Sequence, residues 1–222
     1  MVPRTLIDIA QIPGGAEMSL FSRGDDFMIV VDRNELMSTR MNGSEIALAT
    51  LSLERIAGVR NPHVLIGGYG MGFTLRAVLG AVGPQAVVTV AELVPEIIAW
   101  ARGPMAAVAA GCLDDPRVRL FEGDVADAIG AGQYDAILLD VDNGPDGLVR
   151  AENDRLYAPR GLKAAKAALA PGGVLAVWSA GTDAKFVRRL KDAGFAVEEV
   201  AVKARTNGKG PRHVIWFARA AS

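Results

Sequence analysis

A chain of 222 residues that is 50% apolar and 22% charged has globular composition, which excludes a largely disordered protein. Its 24 Lys plus Arg against 25 Asp plus Glu leave a net charge of −1, so nothing global draws it to nucleic acid or an anionic membrane. A single cysteine, Cys112, excludes an intrachain disulfide framework and a Cys-rich zinc site. The two histidines, His63 and His213, lie far apart in sequence, so no metal site is expected. Residues 1–12 lack the basic start and apolar run of a signal peptide, and no uncharged apolar window of about 18 residues occurs. The expectation is a cytoplasmic protein that binds neither nucleic acid nor membrane.

The first 43 residues read as short strands. Glu17–Ser22, Phe27–Val31 and Leu36–Arg40 are separated by Arg23-Gly24-Asp25-Asp26 and Asp32-Arg33-Asn34, which have the composition of hairpin turns. This segment, 1–43, is expected to be a β-hairpin unit apart from a larger domain, 44–222. Ser44 is the expected N-cap of a helix from Glu45 to about Ala57.

After Pro62 strands and helices alternate. Strands are expected at His63–Ile66, Ala86–Ala91, Arg117–Phe121, Tyr134–Leu139 and Val174–Trp178. Between them helices are expected at Phe73–Val82, Pro95 to about Ala110, Val125–Ile129 and Gly161–Leu169. A helix at Asp183–Ala193 and two strands, Phe195–Val202 and His213–Ala218, close the chain. Alternation of this kind predicts an α/β fold with a doubly wound, mostly parallel sheet, whose last two strands pair antiparallel because no helix separates them.

Chemistry concentrates at the expected carboxyl ends of the strands. The first strand after Pro62 runs into Gly67-Gly68-Tyr69-Gly70-Met71-Gly72 and then a helix. Glycine lets backbone approach a ligand there, and the helix start offers free N–H groups. Phe73 fills the last glycine position of a dinucleotide fingerprint, and no Lys-Ser or Lys-Thr completes a P-loop. Glu92 ends the next strand, where a carboxylate can accept both ribose hydroxyls of a nucleoside. Asp124, followed by Val125, is placed to meet a base or to cap the next helix. From Asp140 to Asp154 stand five carboxylates, Asp140, Asp142, Asp146, Glu152 and Asp154, against one cation, Arg150. The last three read as a solvated loop, whereas a buried apolar strand delivers Asp140 and Asp142 to the sheet edge. The basic stretch Lys203–His213 reads as a solvated hairpin tip, and Cys112, Trp100, Trp178 and Trp216 as core.

In this order the motifs resemble class I S-adenosylmethionine-dependent transferases, and within them the spermidine-synthase-like branch. The resemblance spans roughly residues 17 to 218. It rests on Ile66-Gly-Gly through Thr74-Leu75-Arg76, Glu92-Leu-Val-Pro95, Asp114-Asp115-Pro116-Arg117-Val118, Gly123-Asp124 and Leu139-Asp140. It implies a seven-stranded sheet with the last strand antiparallel. It also implies a nucleoside site at Gly67, Gly68, Gly70, Gly72, Glu92, Asp124 and Val125, and chemistry at Asp140 and Asp142. The branch's glycine loop usually carries an Asp for the donor's amine, and its preceding helix a Tyr-His pair. Neither is present here.

The resulting expectation is a transferase using S-adenosylmethionine or its decarboxylated form, with no metal, acting on a small amine. Asp140 would be base or orienter, and Asp142 would hold the acceptor's cationic end. Methyl transfer is favoured because the acid that reads the decarboxylated donor is missing; aminopropyl transfer is the alternative. A further alternative is a non-catalytic nucleoside-binding scaffold. The strand-rich N-terminal segment leaves sheet edges to cover, which suggests a homodimer.

Overall fold

The computed structural model describes residues 2–141, 145 and 154–220. Four strands come first, β1 (Thr5–Gln11), β2 (Glu17–Arg23), β3 (Asp26–Val31) and β4 (Asn34–Ser38). They form an antiparallel sheet in the order β1-β2-β3-β4. Three match the expected runs and β1 is additional. The turn between β3 and β4 has two residues, Asp32 and Arg33, both with positive φ (47° and 71°), the backbone of a twisted two-residue hairpin.

Helix α1 (Gly43–Arg55) leads into the larger sheet, whose strands are β5 (His63–Gly67), β6 (Val87–Glu92), β7 (Val118–Glu122), β8 (Tyr134–Leu139), β9 (Leu169–Ser179), β10 (Phe195–Lys203) and β11 (Arg212–Ala220). Between them lie α2 (Phe73–Ala81), α3 (Pro95–Arg102), α4 (Ala106–Ala109), α5 (Val125–Ala131), α6 (Asp154–Tyr157), α7 (Pro159–Ala168) and α8 (Ala184–Asp192). The sheet order is β10-β11-β9-β8-β5-β6-β7. β6 pairs parallel to β5, as do β8 to β5, β7 to β6 and β9 to β8; β11 is antiparallel to β9 and β10. The expected seven-stranded, doubly wound sheet is therefore the one observed. The central strands are unbroken apolar runs because helices cover both faces: Val64, Leu65, Ile66, Ile137 and Leu138 are all buried. Each such side chain contributes about 1.5–3 kcal/mol by leaving water.

One face of the sheet shares a continuous core with the N-terminal sheet: Met18, Leu20 and Ile29 pack in the same cluster as Leu48, Val64 and Val78. The other face is closed by α5, α7 and α8 through Ile129, Leu162, Phe186 and Leu190. From β5 the chain winds to β6 and β7 on one side and to β8 and β9 on the other. The crevice for a ligand in such a sheet opens outside the carboxyl ends of β5 and β8, where the winding reverses.

Three local expectations are corrected. The helix expected from Pro95 to Ala110 stops at Arg102, because Gly103-Pro104 follows, and Pro104 has no N–H to continue the ladder; Ala106–Ala109 is a separate turn. Ser44 is not the N-cap of α1. Asn42 stands there, and the Gly43 N–H donates to the Ala204 carbonyl at 2.8 Å, so the β10–β11 turn serves the helix start. The strand expected at Val174–Trp178 begins at Leu169, with an irregular register that takes up Pro171-Gly172-Gly173. Among the described residues, no helix is long and apolar enough to cross a membrane.

Candidate active site

Backbone hydrogen bonds tie the strand ends together before any side chain is considered. The Gly68 N–H donates to the Ala91 carbonyl at 2.8 Å, the Asp140 N–H to the Gly67 carbonyl at 3.0 Å, and the Gly123 N–H to the Glu92 carbonyl at 2.8 Å. The ends of β5, β6, β7 and β8 are thus laced into one rigid edge. Two glycines of the loop are demanded by this closeness. A Cβ on Gly68 would stand 2.5 Å from the Asp140 carbonyl oxygen, at a φ of +86° that side chains rarely adopt. A Cβ on Gly70 would meet Met37 Cε of β4 at 2.6 Å, so the N-terminal sheet closes over the loop.

Between this edge and the N-terminal sheet lies a cavity of about 310 Å³. Of the residues singled out by sequence, Gly68, Gly70, Glu92, Asp124, Val125 and Asp140 line it. Gly67 and Gly72 do not. Gly67 packs under Val125 and Leu139, and Gly72 backs onto the Tyr69 ring, so they shape the loop from behind. Asp142, together with Asp146 and Glu152, lies outside the described residues.

Glu92 is buried and held by two backbone donors. Its Oε2 accepts from the Tyr69 N–H at 2.8 Å and its Oε1 from the Val94 N–H at 2.9 Å. Burial pushes its acid strength toward the protonated form, and these hydrogen bonds pull it back. Asp124 is the N-cap of α5, accepting from the Ala126 N–H at 2.9 Å, and it is paired with Arg155 of α6 at 2.5 Å. Its carboxylate is a structural clasp. Asp124 and Val125 both line the cavity at the start of α5.

Asp140 accepts a hydrogen bond from Thr74 Oγ1 of α2 at 3.3 Å. Burial raises its pKa above the ordinary carboxylate range, against the pull of that hydrogen bond. Sequence reasoning missed four partners on the same wall. Glu45, on the first turn of α1, is only 7% exposed, and burial followed by the facing charge of Asp140 raises its pKa. Ser44 Oγ donates to Glu45 Oε2 at 2.7 Å and lies 2.9 Å from His213 Nδ1. The His213 ring stands edge-on to Trp178, with centroids 4.7 Å apart. On sequence Ser44 reads as a helix cap, His213 as the junction of a solvated loop with the last strand, and Trp178 as core. No local motif marks these residues. Their one readable signal is a Ser-Glu pair on an otherwise apolar helix start, and the long-range pairing of β11 beside β9 is what brings His213 to them.

No family model matches the chain. Over 206 residues it is 31% identical to the polyamine aminopropyltransferases of two Mycobacterium tuberculosis strains and of Mycobacterium bovis. That alignment takes in 86% of this chain and spans 37% of the length of each relative. Its fold superposes on a spermidine synthase from Thermotoga maritima with a TM-score of 0.74 at 19% identity, over 96% of this chain and 72% of that one. A spermidine synthase in complex with the transition state analogue AdoDATO gives 0.73 at 19% identity, over 96% and 71%. Over that part of their length the chain is similar in sequence to the polyamine aminopropyltransferases, and it has the fold of the spermidine synthases. The motifs that suggested this branch, from the glycine loop through Glu92 and Gly123-Asp124 to Asp140, are the ones that its sheet gathers at one edge. The acid that the branch usually carries within the glycine loop is absent here, yet other elements of the lining supply Glu45 from α1 and Glu35 from β4.

Proposed function

We propose that the chain is a sulfonium-dependent transferase that moves an aminopropyl group from decarboxylated S-adenosylmethionine to a polyamine-type amine. The observation that carries this reading is the charge of the cavity. Its described lining includes the carboxylates Glu35, Glu45, Glu92 and Asp140, together with Asp124, whose charge is met by Arg155 of α6, and the lining itself holds neither a Lys nor an Arg. Such a site favours a doubly cationic donor and a cationic acceptor. S-adenosylmethionine itself brings a carboxylate. Two like charges 4 Å apart repel by about 4 kcal/mol at an effective dielectric near 20, and no described cation in the lining offsets this. This argues against the methyl transfer favoured on sequence. That preference rested on an acid missing from one loop, and Glu45 and Glu35 provide acids from other elements. The names of the relatives and of the fold neighbours point the same way.

In this reading Glu92 takes the ribose, the Asp124–Val125 backbone takes the base, and Gly68 and Gly70 admit the donor's chain. The acceptor's neutral amine attacks the carbon next to the sulfonium. The new N–C bond forms as the C–S bond breaks, with its electron pair passing to sulfur. Alignment of the two reactants accounts for much of the rate. An acceptor arriving as an ammonium must first give up one proton, and Asp140 is the acceptor for it. The apolar side chains Ile12, Met18, Leu36 and Met37 line the rest of the cavity and suit the methylenes of such an amine.

A thermal-shift panel tests the reading. Decarboxylated S-adenosylmethionine should raise Tm more than S-adenosylmethionine at equal concentration, and NAD should have no effect. Saturation at about 100 times Kd is worth about 2.7 kcal/mol of stability. A larger shift with S-adenosylmethionine restores methyl transfer as the better reading.

A homodimer is proposed on the N-terminal sheet. Its edge strand β1 leaves Leu6, Ile7 and Ile9 between 41% and 48% exposed, and an unpaired, apolar edge is a template for association. Light scattering should give twice the chain mass at micromolar concentration, falling to the monomer in Ile7→Lys, Ile9→Lys. A monomeric mass for the unaltered chain refutes the dimer.

A further inference from the structure

Behind Asp140 the cavity wall carries a connected set of polar groups that the transfer scheme above does not use. While Glu45 is ionised, the one hydrogen on Ser44 Oγ is given to Glu45 Oε2 and the hydroxyl accepts from His213, which places the imidazole proton on Nδ1 in that state. Burial keeps that ring neutral by lowering its pKa. The chain of bonds therefore runs from His213 Nδ1–H to Ser44 Oγ–H to Glu45 Oε2. It fixes the carboxyl by one oxygen and leaves Oε1 for the cavity that Glu45 lines. Nothing at a solvated helix start requires this. An exposed Glu in the first turn would favour the helix dipole from water, whereas this one is buried in a cavity that also holds Asp140.

We infer that Glu45 is the second carboxyl of the acceptor site, sharing with Asp140 the proton that the acceptor ammonium releases, and that Ser44 and His213 are positioning residues for it. The inference rests on the transfer reading above. The balance is simple. An acceptor R–NH₃⁺ and the sulfonium donor become a thioether nucleoside, a secondary ammonium and one proton, and the carboxylates that line the cavity are the groups at hand to take that proton. A lone buried carboxylate would take it and become a neutral acid. Two carboxyls lining one cavity with no cation between them hold one proton more readily, because their like charges resist double ionisation.

The surroundings of Glu45 support a shared proton. Asp140 lines the same cavity from the end of β8, Thr74 of α2 bonds Asp140, and Trp178 of β9 and His213 of β11 line it beside Glu45. From the β10–β11 turn, backbone of Lys203, Ala204, Arg205 and Thr206 approaches α1 at Gly43. Glu198 of β10 is engaged with Arg55 at the far end of α1. Glu35 of β4 lines the same cavity, and Glu92 of β6 does so beside the glycine loop. Among the described lining there is no Lys or Arg to neutralise the pair.

The test uses the full chain labelled with ¹³C at Glu and Asp carboxyls, and a transfer assay with decarboxylated S-adenosylmethionine and a panel of diamines. In the unaltered protein the Glu45 carboxyl should titrate above the ordinary carboxylate range. In Asp140→Asn its midpoint should fall, because the facing negative charge is gone, and in Glu45→Gln the resonance should be absent. Glu45→Gln should lower kcat by ~10- to 100-fold with the acceptor KM changed less than threefold. Ser44→Ala and His213→Asn should lower kcat several-fold and shift the Glu45 midpoint, with Tm held near that of the unaltered chain. A Glu45 midpoint in the ordinary range, or one that ignores Asp140→Asn, overturns the shared proton. A rise in KM with kcat intact makes Glu45 a mere anchor for an ammonium and also overturns it. If the unaltered protein transfers to no amine, the transfer reading falls and takes the acceptor role with it, while the paired titration is decided by the spectra alone.

Discussion

Asp140→Asn is expected to cut aminopropyl transfer by ~10²–10⁴, the size of a lost general base, while Tm stays level or rises. The two halves of this result have separate physical causes. Turnover falls because an amide cannot take the ammonium proton. Stability does not fall because the amide is nearly isosteric, still accepts from Thr74 Oγ1, and leaves untouched the backbone bond from the Asp140 N–H to the Gly67 carbonyl. It also removes a buried negative charge facing Glu45. The sign of the pH effect follows. A carboxyl whose pKa is raised in the folded state contributes stability that is fully present below its unfolded value and is lost as pH rises through the folded value. The unaltered chain should therefore lose Tm as pH climbs out of the acid range toward neutrality, and Asp140→Asn should lose less. Turnover within threefold of the unaltered chain would remove Asp140 from the chemistry. A steeper alkaline loss in the Asn variant would show that Asp140 is ionised well below the range assigned to it.

The sheet was legible because each central strand is a short apolar run bounded by glycine, proline or charge, and runs alternating with helices are the pattern of a parallel sheet covered on both faces. Gly68, Gly70, Glu92 and Asp140 were legible for a related reason. They are residues of unusual type at strand ends, and strand ends meet at one edge. What could not be read is what depends on contacts distant in sequence. Glu45 sits on a helix whose other early residues are small or apolar, and only the closure of β11 against β9 brings His213 to Ser44, 169 positions away. β1 was missed because its outward residues Leu6, Ile7 and Ile9 are apolar, so it lacks the alternation that marks a half-buried strand. The preference for methyl transfer has the same limit. It counted the acids within one loop, whereas the cavity assembles its acids from β4, α1, β6 and β8.

Glu92 shows how the structure changes an experiment that sequence alone would have designed. As a strand-end carboxylate it invites Glu92→Ala, with loss of donor affinity and no loss of fold. Its two oxygens, however, accept from the buried Tyr69 and Val94 N–H groups. Alanine leaves both donors unpaired, at about 1–3 kcal/mol each, and loosens the glycine loop at Tyr69. Glutamine is no remedy, since its –NH₂ must face one of the two donors. Both variants should therefore lose stability, and a bare fall in affinity would not separate a missing ribose contact from a displaced loop. A double-mutant cycle does, with the second change made on the ligand. Methylthioadenosine and its 2′,3′-dideoxy analogue differ only in the hydroxyls that Glu92 is assigned to hold. In the unaltered chain the dideoxy form should bind more weakly by about 1.5–3 kcal/mol per charge-assisted hydrogen bond. In Glu92→Gln, calorimetry at a temperature where the variant is folded should show that gap narrowed to less than half. A gap of equal size in both proteins would leave Glu92 as the clasp that holds the glycine loop to β6, and the ribose would have to be held by other residues.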